Sequence, residues 1–263
     1  MTVRTRVVWA GELEPAGALA LDEALVRAEV ERPTLVLWQT GPAVVIGRFQ
    51  RADWEVDAAA CAARGVRAWR RFTGGGAVYL DAGTVCAALA VPPGHPDAAL
   101  GVPALYAPFL DGVARACRML GVAATADERT LRVGGRKVTG VAAHRGRLGT
   151  LVHGTLLVAA DLAALRACLA GPRGGDLDGR PRPAPSRPDR VANLGGSTAA
   201  ARAALVEAFA GRGVAAEPPT KDELARAAGL RRERYDDRRW HAGPWHEVTP
   251  AAVEAVLGGA REP

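Results

Sequence analysis

The sequence contains very few of the residue types on which several enzyme classes depend. Only two of its 34 basic residues are lysine, Lys137 and Lys221, and its two serines are Ser186 and Ser197. The segment Gly-x-Ser-x-Gly is absent, which excludes a serine hydrolase built on a nucleophile elbow. No apolar run reaches the roughly 18–20 residues of a membrane span, so the sequence predicts no membrane protein.

Cysteine and aromatic residues are scarce as well. The cysteines lie far apart without a Cys-x-x-Cys pair, which predicts no disulfide framework, no zinc ribbon and a reducing, cytoplasmic location. We expect all four to be buried thiols: Cys61, Cys86, Cys117 and Cys168. With 5% aromatic residues and no recognition motif, the net charge of +6 does not indicate nucleic-acid binding.

The hydrophobic pattern predicts a globular α/β protein of the α+β type. Hydrophobic residues make up 49% of the chain and charged residues 24%. Thr84–Val91 is a nearly continuous apolar run, typical of a strand buried on both faces. Residues 18–30 have helical spacing, with Asp22 and Glu23 on the polar side. Strands outnumber a simple alternation with helices, so we predict mixed, largely antiparallel sheets flanked by helices.

Capping residues, glycines and prolines mark the boundaries of the predicted elements. Residues 56–64 are predicted to form one helix that ends at Gly65, and Asp161 and Ser197 are predicted N-caps. Residues 171–190 contain five prolines, four glycines and five arginines, which predicts a flexible loop. Residues 249–263 are predicted to form a loosely attached helix and tail.

A glycine-rich segment, Arg-Arg-Phe-Thr-Gly-Gly-Gly-Ala-Val at residues 70–78, follows a predicted strand. Gly74, Gly75 and Gly76 allow the backbone to approach a ligand and to turn N–H groups toward a carboxylate or a phosphate. Arg71 would supply a bidentate fork to the same anion. The segment matches neither the Walker A motif nor Gly-x-Gly-x-x-Gly, and an ordinary turn between two strands is the alternative.

Lys137 is the second candidate functional residue. It follows Gly134 and Gly135, a pair typical of a two-residue hairpin turn. We expect Lys137 and Thr139 to share one side of the strand, with their neighbours on the other side. In a chain that uses arginine almost throughout, a lysine indicates a site for a compact point charge beside a carboxylate or phosphate oxygen. An ordinary exposed lysine is the alternative.

A histidine interrupts the apolar strand at residues 151–157. His153 is either a hydrogen-bonded core residue or a residue that contacts a ligand, and the sequence leaves both open. The other histidines show no spacing typical of metal ligands. The sequence therefore predicts no metal site formed by protein side chains.

Taken together, these segments resemble the lipoate–protein ligase A family of the biotin/lipoate ligase superfamily. Any single segment is a weak match, but several in register are specific. The matching segments, in chain order, are residues 15–25, residues 35–38 with 44–50, residues 70–78 with Asp81, Gly83 and Cys86, residues 136–140, residues 153–157 with 161–162, and residues 190–194 with 240–243.

The resemblance implies a class II synthetase-like, biotin–lipoate ligase fold, with a catalytic domain over residues 1–248 and no accessory domain. It implies that lipoate and ATP form lipoyl-adenylate, and that the lipoyl group then passes to a lysine of an acceptor domain. Lys137 would be catalytic, and Mg²⁺ would bind the ATP phosphates rather than the protein. The adenylate would contact Arg71, Gly74, Gly75, Gly76, Ala77, Val78, Tyr79, Lys137 and Thr139. The lipoyl pocket would be lined by Trp38, Gly140, His153 and Thr155.

The resemblance also implies partners. The acceptors would be the lipoyl domains of 2-oxoacid dehydrogenase acyltransferase subunits and the glycine cleavage H protein. A separate chain would supply the accessory domain for activation. Nucleic acid and membranes are not expected partners.

The chain departs from the family pattern just before the lysine hairpin. The family often has Asn-Asp-Leu there, whereas Arg129 and Thr130 precede the leucine in this chain, with Asp127 or Glu128 as possible substitutes. This change favours the second of two alternative functions that stay open. One is an octanoyl- or lipoyl-transferase that works without ATP through a cysteine, although Cys168 falls about three residues early for that role. The other is a lipoyl-binding protein without catalytic activity.

Overall fold

Ten strands form two sheets in the computed structural model, which describes residues 4–28, 30–169 and 186–242. The strands are β1 Arg6–Glu12, β2 Thr34–Gln39, β3 Ala43–Ile46, β4 Arg67–Arg70, β5 Val78–Leu80, β6 Thr84–Val91, β7 Thr125–Ala126, β8 Thr130–Val133, β9 Arg136–Gly146 and β10 Gly149–Leu157. The large sheet has the order β1-β2-β6-β10-β9-β8-β7, and the small sheet has the order β4-β3-β5. The predicted tail at 249–263 and most of the predicted loop at 171–190 lie outside the described residues.

Helices flank both sheets. They are α1 Pro15–Arg27, α2 Ala52–Glu55, α3 Ala58–Ala62, α4 Val102–Met119, α5 Leu162–Cys168, α6 Thr198–Ala210, α7 Lys221–Leu230 and α8 Arg238–Ala242, with a 3-10 turn at Pro96–Ala99 and a π-helical turn at Arg231–Tyr235. The predicted N-caps are confirmed, because Asp161 accepts from the Ala164 N–H and Ser197 accepts from the Ala200 N–H.

The large sheet is mixed, as predicted. Only β1 and β2 pair in parallel within it, whereas the pairs β2–β6, β6–β10, β10–β9, β9–β8 and β8–β7 are antiparallel. Strand β6 lies inside the sheet, and all of its residues from Thr84 to Val91 are buried. This confirms the prediction that its continuous apolar run is buried on both faces.

The two faces of the large sheet bury separate cores. Helices α4 and α6 cover one face, which carries Leu35, Val85 and Leu156. Helix α1 and the small sheet cover the other face, which we call the pocket face and which carries Val36 and Ala88. The pocket face is also where the functional residues predicted from the sequence come together.

Helix α1 differs from its prediction in position and in burial. It begins at Pro15 rather than at residue 18, because proline is well tolerated in the first turn of a helix. Asp22 and Glu23, expected on the polar side, are 1% and 2% exposed. The π-helical turn covers Glu23, which accepts hydrogen bonds from Arg234 and from the Tyr235 hydroxyl at 2.7 Å, whereas Asp22 faces the large sheet and accepts from the Trp38 indole. The prediction of a solvent-facing acidic pair was therefore wrong.

The helix predicted at residues 56–64 is also corrected. Two short helices, α2 and α3, are found instead, and Val56 is extended between them. The Asp57 carboxylate accepts from the Ala60 N–H at 2.9 Å, which starts α3 as a new helix. In the part of the chain that the structure describes, no helix is long and apolar enough to cross a membrane.

Candidate active site

Four adjacent strands place the predicted pocket residues on one face of the sheet. Trp38 on β2 lies opposite Cys86 on β6, Cys86 lies opposite Thr155 on β10, and Thr155 lies opposite Gly140 on β9. His153 is two residues from Thr155 on β10 and so points to the same side. Directly opposite residues share a face, so all four predicted lipoyl-pocket residues line the pocket face.

The Gly-rich loop, residues 73–77, lies over this face. A Cβ atom added to Gly75 would lie 3.2 Å from the Cβ of Ala142, which is opposite His153 on β9. The Thr73 hydroxyl lies 2.7 Å from Nε2 of His153. The loop and the predicted pocket residues therefore belong to one site, with the loop on one side and the sheet on the other.

A β-bulge places Lys137 in the same site. Thr139 pairs with Leu131 and Lys137 pairs with Arg132, which leaves Val138 as an extra residue between them. Beyond the bulge the alternation of the strand is shifted by one residue. The Lys137 side chain consequently lies over Gly140, where an added Cβ would be 2.9 Å from the lysine Nζ.

Because of the bulge, Thr139 does not share the pocket face with Lys137. Thr139 is 2% exposed, and it lies opposite Leu156 and Leu131, which belong to the core under α4 and α6. Its hydroxyl donates to the carbonyl of Thr155. The expectation that Lys137 and Thr139 share one face was wrong, because period-two alternation fails across a bulge.

The environment of Lys137 is largely desolvated. Burial lowers the pKa of its ammonium group, and the carboxylate of Asp189 offsets only part of that effect. The lysine backbone is also paired: its N–H donates to the carbonyl of Arg190 at 2.8 Å, and its carbonyl accepts from the Ala192 N–H at 3.0 Å. The segment that follows the Pro/Arg/Gly-rich stretch thus runs alongside the catalytic candidate.

Arg71 holds the Gly-rich loop in shape. Its guanidinium donates to the carbonyls of Gly74 at 2.5 Å, Gly76 at 2.8 Å and Val45 at 3.3 Å, and to the Thr73 hydroxyl at 3.0 Å. Burial is the main reason that the pKa of Arg71 falls to about 10. The donors predicted to form a phosphate fork are therefore directed at the loop itself, and the positive charge lies directly beneath the glycines.

Arg70 is a structural residue that the sequence did not single out. It is fully buried, and its guanidinium donates to the carbonyls of Gly47, Arg48, Gln50, Trp240 and His241. Its backbone N–H also donates to Nδ1 of His241 at 3.0 Å. Arg70 thereby joins α8 to the segment at residues 47–50, which supports the loop from below.

Ser186 accepts a hydrogen bond from the N–H group at the end of the Gly-rich loop. Its hydroxyl accepts from the Ala77 N–H at 2.7 Å and from the Gln50 side-chain amide at 3.1 Å. Its own N–H donates to the Glu55 carboxylate at 3.0 Å. The hydroxyl lies beside Gly76, where an added Cβ would be 3.0 Å away. The Ala77 N–H, which the sequence predicts to bind an anion, thus donates to a serine hydroxyl in this structure.

Val78 and Tyr79, the remaining predicted adenylate contacts, begin strand β5. They pair with Val45 and Val44 of β3, so their backbone groups continue the Gly-rich loop into the small sheet. The Tyr79 side chain is buried in the core beneath that sheet. Of Tyr79, only the backbone is therefore placed to contact a ligand above the loop.

Asp22 is the functional candidate that sequence reasoning missed. Its carboxylate accepts from the Trp38 indole N–H at 3.0 Å and lies 3.1 Å from Nδ1 of His153. The sequence signal was an acid inside an otherwise apolar helix, yet its partners lie 16 and 131 residues further along the chain. It joins two predicted pocket residues.

The cysteines do not form a nucleophilic site. All four are free and buried, as predicted. Cys168 lies in the core of the small sheet, where the Cys61 thiol points to its carbonyl at 3.8 Å. Cys86 does lie on the pocket face, but burial raises the pKa of its thiol well above the usual range and disfavours the thiolate.

Asp127, one of the two acids before the lysine hairpin, is already paired. Asp127 accepts from the Thr130 hydroxyl at 2.6 Å, and Arg132 forms ion pairs with both Asp127 and Asp189. Within residues 4–28, 30–169 and 186–242, no three His, Cys, Asp or Glu side chains come together as metal ligands. The two carboxylates nearest Lys137 are thus engaged by an arginine.

Comparisons with known proteins identify the family. A family model for the lipoyl protein ligase A/B catalytic domain matches residues 14–210. Lipoate-protein ligase A subunit 1 of Thermoplasma acidophilum is 30% identical over 190 residues, covering 67% of this chain and 70% of the relative. The octanoyltransferase LipM of Exiguobacterium sp. is 32% identical over 184 residues, covering 59% and 66% respectively. For these and three further curated relatives, the match covers 39% to 70% of the relative's own length.

Solved structures agree with this result. A bipartite lipoate protein ligase of T. acidophilum, studied with its E2 lipoyl domain, superposes with a TM-score of 0.76 at 26% identity, over 92% of this chain and 97% of that one. A lipoate-protein ligase A bound with ATP superposes with a TM-score of 0.75 at 26% identity, over 92% and 99% of the two chains. This chain therefore belongs to the family of lipoyl protein ligase A/B catalytic domains.

Proposed function

We propose that the protein is an ATP-dependent lipoate–protein ligase. The observation that carries the proposal is the position of Lys137, whose ammonium lies over Gly140 on the same sheet face that the Gly-rich loop covers. A lysine and the Gly-rich backbone thereby lie at the same face of the sheet, and the N–H groups of that backbone are the proposed phosphate donors. This is the arrangement needed to bring a carboxylate and a phosphate, both anions, into contact.

The proposed reaction has two steps. In the first, a carboxylate oxygen of lipoate attacks the α-phosphorus of ATP, and pyrophosphate leaves as the mixed anhydride lipoyl-AMP forms. In the second, the neutral amine of an acceptor lysine attacks the acyl carbon, AMP leaves, and an amide forms with loss of a proton. The enzyme needs no nucleophile of its own, because activation comes from adenylation and from proximity.

Each part of the pocket has a proposed role. Lys137 neutralises the lipoate carboxylate and then the oxygens of the anhydride, where negative charge develops. The backbone of the Gly-rich loop holds the nucleotide phosphates, and Arg71 contributes its charge from beneath rather than as a direct fork. Trp38 and His153 line the acyl end of the pocket, together with Thr155.

Magnesium has no side-chain cage in the described residues. Asp127 and Asp189 are held by Arg132, so they do not form an open pair of carboxylates for a cation. When ATP brings Mg²⁺, the ion supplies charge neutralisation on the phosphates. None of the roles given to Lys137, Arg71 or the loop depends on protein ligands to that ion.

We propose that the acceptors are lipoyl domains, including those of 2-oxoacid dehydrogenase complexes and the glycine cleavage H protein. The bipartite ligase of T. acidophilum and its E2 lipoyl domain support this assignment. The same relative supports a second chain as an activating partner. Assays are therefore best made with and without a candidate accessory chain.

A cysteine-dependent transferase is the second candidate function, because one relative is an octanoyltransferase. Two observations weigh against it here. Cys168 lies in the core of the small sheet rather than on the pocket face, and burial disfavours the thiolate of Cys86. Cys168 is thus misplaced for attack on an acyl group, and Cys86 is held as the unreactive thiol.

The decisive experiment follows both half-reactions. Purified protein is incubated with lipoate, ATP and magnesium, and pyrophosphate release is measured before an acceptor domain is added and its lipoylation scored by mass. We expect pyrophosphate release that depends on lipoate, and acceptor modification that depends on ATP. Acyl transfer from octanoyl-carrier protein in the absence of ATP would contradict the ligase assignment and favour the transferase.

Two variants sharpen this experiment. Lys137→Ala should abolish both half-reactions, whereas Cys168→Ala should leave them unchanged. If Cys168→Ala is inactive but folded, the transferase mechanism becomes the better account. Binding of lipoate without turnover under every condition would instead indicate a lipoyl-binding protein without catalytic activity.

A further inference from the structure

We propose that Asp22 is a positioning residue that sets the tautomer of His153 and thereby fixes the Gly-rich loop over the acyl pocket. The proposal deepens the proposed ligase function, on which its catalytic consequence rests. It concerns a chain of hydrogen bonds that runs from Trp38 through Asp22, His153 and Thr73 to Arg71.

The first step concerns the carboxylate. The Asp22 side chain is 1% exposed, and its Oδ1 accepts from the Trp38 indole N–H at 3.0 Å. Its Oδ2 lies 3.1 Å from Nδ1 of His153. An ionised carboxylate only accepts hydrogen bonds, so the proton of this contact must be on Nδ1 of His153.

The second step concerns the other ring nitrogen. With the proton on Nδ1, Nε2 of a neutral His153 is an acceptor, and the Thr73 hydroxyl at 2.7 Å donates to it. The Thr73 oxygen in turn accepts from Nε of Arg71 at 3.0 Å. Every donor along the chain then meets an acceptor, which matters because Thr73 is only 1% exposed.

The alternative protonation states fit less well. An imidazolium would direct a second N–H at the Thr73 oxygen, which already accepts from Arg71, and would place two cations on either side of one buried hydroxyl. The tautomer with its proton on Nε2 would leave Nδ1 and the Asp22 carboxylate as two facing acceptors. The geometry therefore favours the neutral tautomer protonated at Nδ1.

This chain joins the two halves of the pocket. Thr73 begins the Gly-rich loop, which is proposed to hold the nucleotide, while His153 borders the acyl pocket with 12% of its side chain exposed. Asp22 touches neither proposed substrate in this arrangement and acts only through His153 and Trp38. A change at Asp22 should thus displace the loop without removing any ligand-binding group.

The test is a nuclear magnetic resonance measurement of the imidazole nitrogens. Protein labelled with ¹⁵N-histidine contains five histidines, and a His153→Gln sample identifies the His153 signals by their loss. Two-bond ¹H–¹⁵N correlations then report which nitrogen carries the proton. We expect protonation at Nδ1 in the unmodified protein, and a signal for Nε2–H or for the imidazolium would overturn the proposal.

Asp22→Asn is the informative variant. Its amide oxygen can still accept from Trp38, but its NH₂ group now donates toward Nδ1, so the proton of His153 should move to Nε2. Asp222→Asn, an exposed site on α7, is the matched control and should leave the tautomer unchanged. An unchanged tautomer in a folded Asp22→Asn protein would overturn the proposal.

A second variant covers the case in which Asp22→Asn does not fold. Thr73→Val removes the donor to Nε2 but leaves Asp22 intact, so the proton should stay on Nδ1 while the Nε2 chemical shift moves toward that of a nitrogen without a hydrogen bond. Movement of the proton to Nε2 in this variant would contradict the role of Asp22.

Activity measurements separate this proposal from the proposed function. Asp22→Asn should slow lipoate-dependent pyrophosphate release about tenfold to 100-fold, and Asp22→Glu, which keeps the acceptor charge, should recover part of the loss. If the unmodified protein shows no turnover, the proposed function fails while the tautomer measurement still decides the network. If the tautomer changes but the rate does not, the positioning role is contradicted and the ligase function stands.

Discussion

Arg70 and Arg132 each hold one side of the pocket, and they differ in how far they are buried. Arg70 is fully buried and donates to backbone carbonyls, so the Gly-rich side is fixed by bonds that water does not reach. Arg132 is 29% exposed, and its partners Asp127 and Asp189 are 47% and 26% exposed. On the lysine side, the side-chain contacts that add to the backbone hydrogen bonds of Lys137 are therefore ion pairs at the surface.

The difference indicates that the two sides of the pocket differ in rigidity. Charge-assisted hydrogen bonds inside a protein are strong and are little affected by salt, whereas exposed ion pairs contribute about 0–1 kcal/mol each and weaken as salt is added. We infer that the Gly-rich side is preorganised for the nucleotide, and that the hairpin bearing Lys137 keeps the freedom to adjust to each intermediate. The following substitutions test this contrast.

The largest effect on activity is expected for Lys137→Arg. A Cβ atom at Gly140 would already lie 2.9 Å from the lysine Nζ, so a planar guanidinium has little room at the point where the ammonium lies. We expect pyrophosphate release to fall about 100-fold or more, although the charge is retained. Lys221→Arg at the exposed start of α7 is the matched control. Activity within threefold of the unmodified enzyme would show that a point charge is not required.

Gly47→Ala should have the largest effect on stability. The added Cβ would lie 2.2 Å from the Gly75 carbonyl oxygen, and two backbones held by Arg70 and Arg71 cannot separate easily. We expect the free energy of unfolding in urea to fall by about 1–3 kcal/mol, with activity reduced as well.

Gly41→Ala provides the control for this substitution, since no atom lies within 4 Å of the Cβ that it would add. It should change stability by less than about 0.5 kcal/mol. Equal effects of the two substitutions would mean that the Gly-rich side is not rigid, and the contrast between the two sides would fail.

The same contrast explains which features could be predicted from the sequence. The hairpin at Gly134 and Gly135 follows from local patterns of period and turn chemistry, whereas the pocket role of His153 was expected only from the family resemblance. The roles of Arg70 and Asp22 do not, because their partners lie as far as 171 and 131 residues away. The bulge at Val138 shifts the alternation of side chains after Lys137. No local sequence pattern predicts this bulge.

Ser186→Ala should have a smaller effect than Gly47→Ala, and the effect should be on nucleotide binding. In this structure the Ser186 hydroxyl occupies the Ala77 N–H, so a nucleotide phosphate would have to displace it. Removing one hydrogen bond of about 1 kcal/mol should tighten ATP binding roughly fivefold in titration calorimetry. Ser197→Ala, which removes the cap of α6, is the control and should leave ATP binding unchanged. Weaker ATP binding by Ser186→Ala would show that the hydroxyl serves the nucleotide instead.

The smallest effect is expected for Arg132→Gln, on the exposed side of the pocket. Its loss removes two exposed ion pairs and should cost about 1 kcal/mol of stability in total at low salt and still less at high salt, with Arg136→Gln in the same hairpin as the control. A large loss of stability that is independent of salt would show that the lysine side is held as firmly as the Gly-rich side, which would contradict the contrast.

Acid unfolding gives this last substitution a second measurement. Burial would raise the pKa of Asp127, but hydrogen bonds from Thr130, Arg129 and Arg132 outweigh it and lower the pKa from 3.8 to about 2. A lowered pKa in the folded state stabilises the protein above pH 4, and this contribution is lost as the pH falls toward 2. Arg132→Gln removes one of these donors, so its stability should fall less steeply between pH 4 and pH 2. Because Asp127 is half exposed, the difference should also shrink when salt is added, as expected of a contact that water and ions can reach.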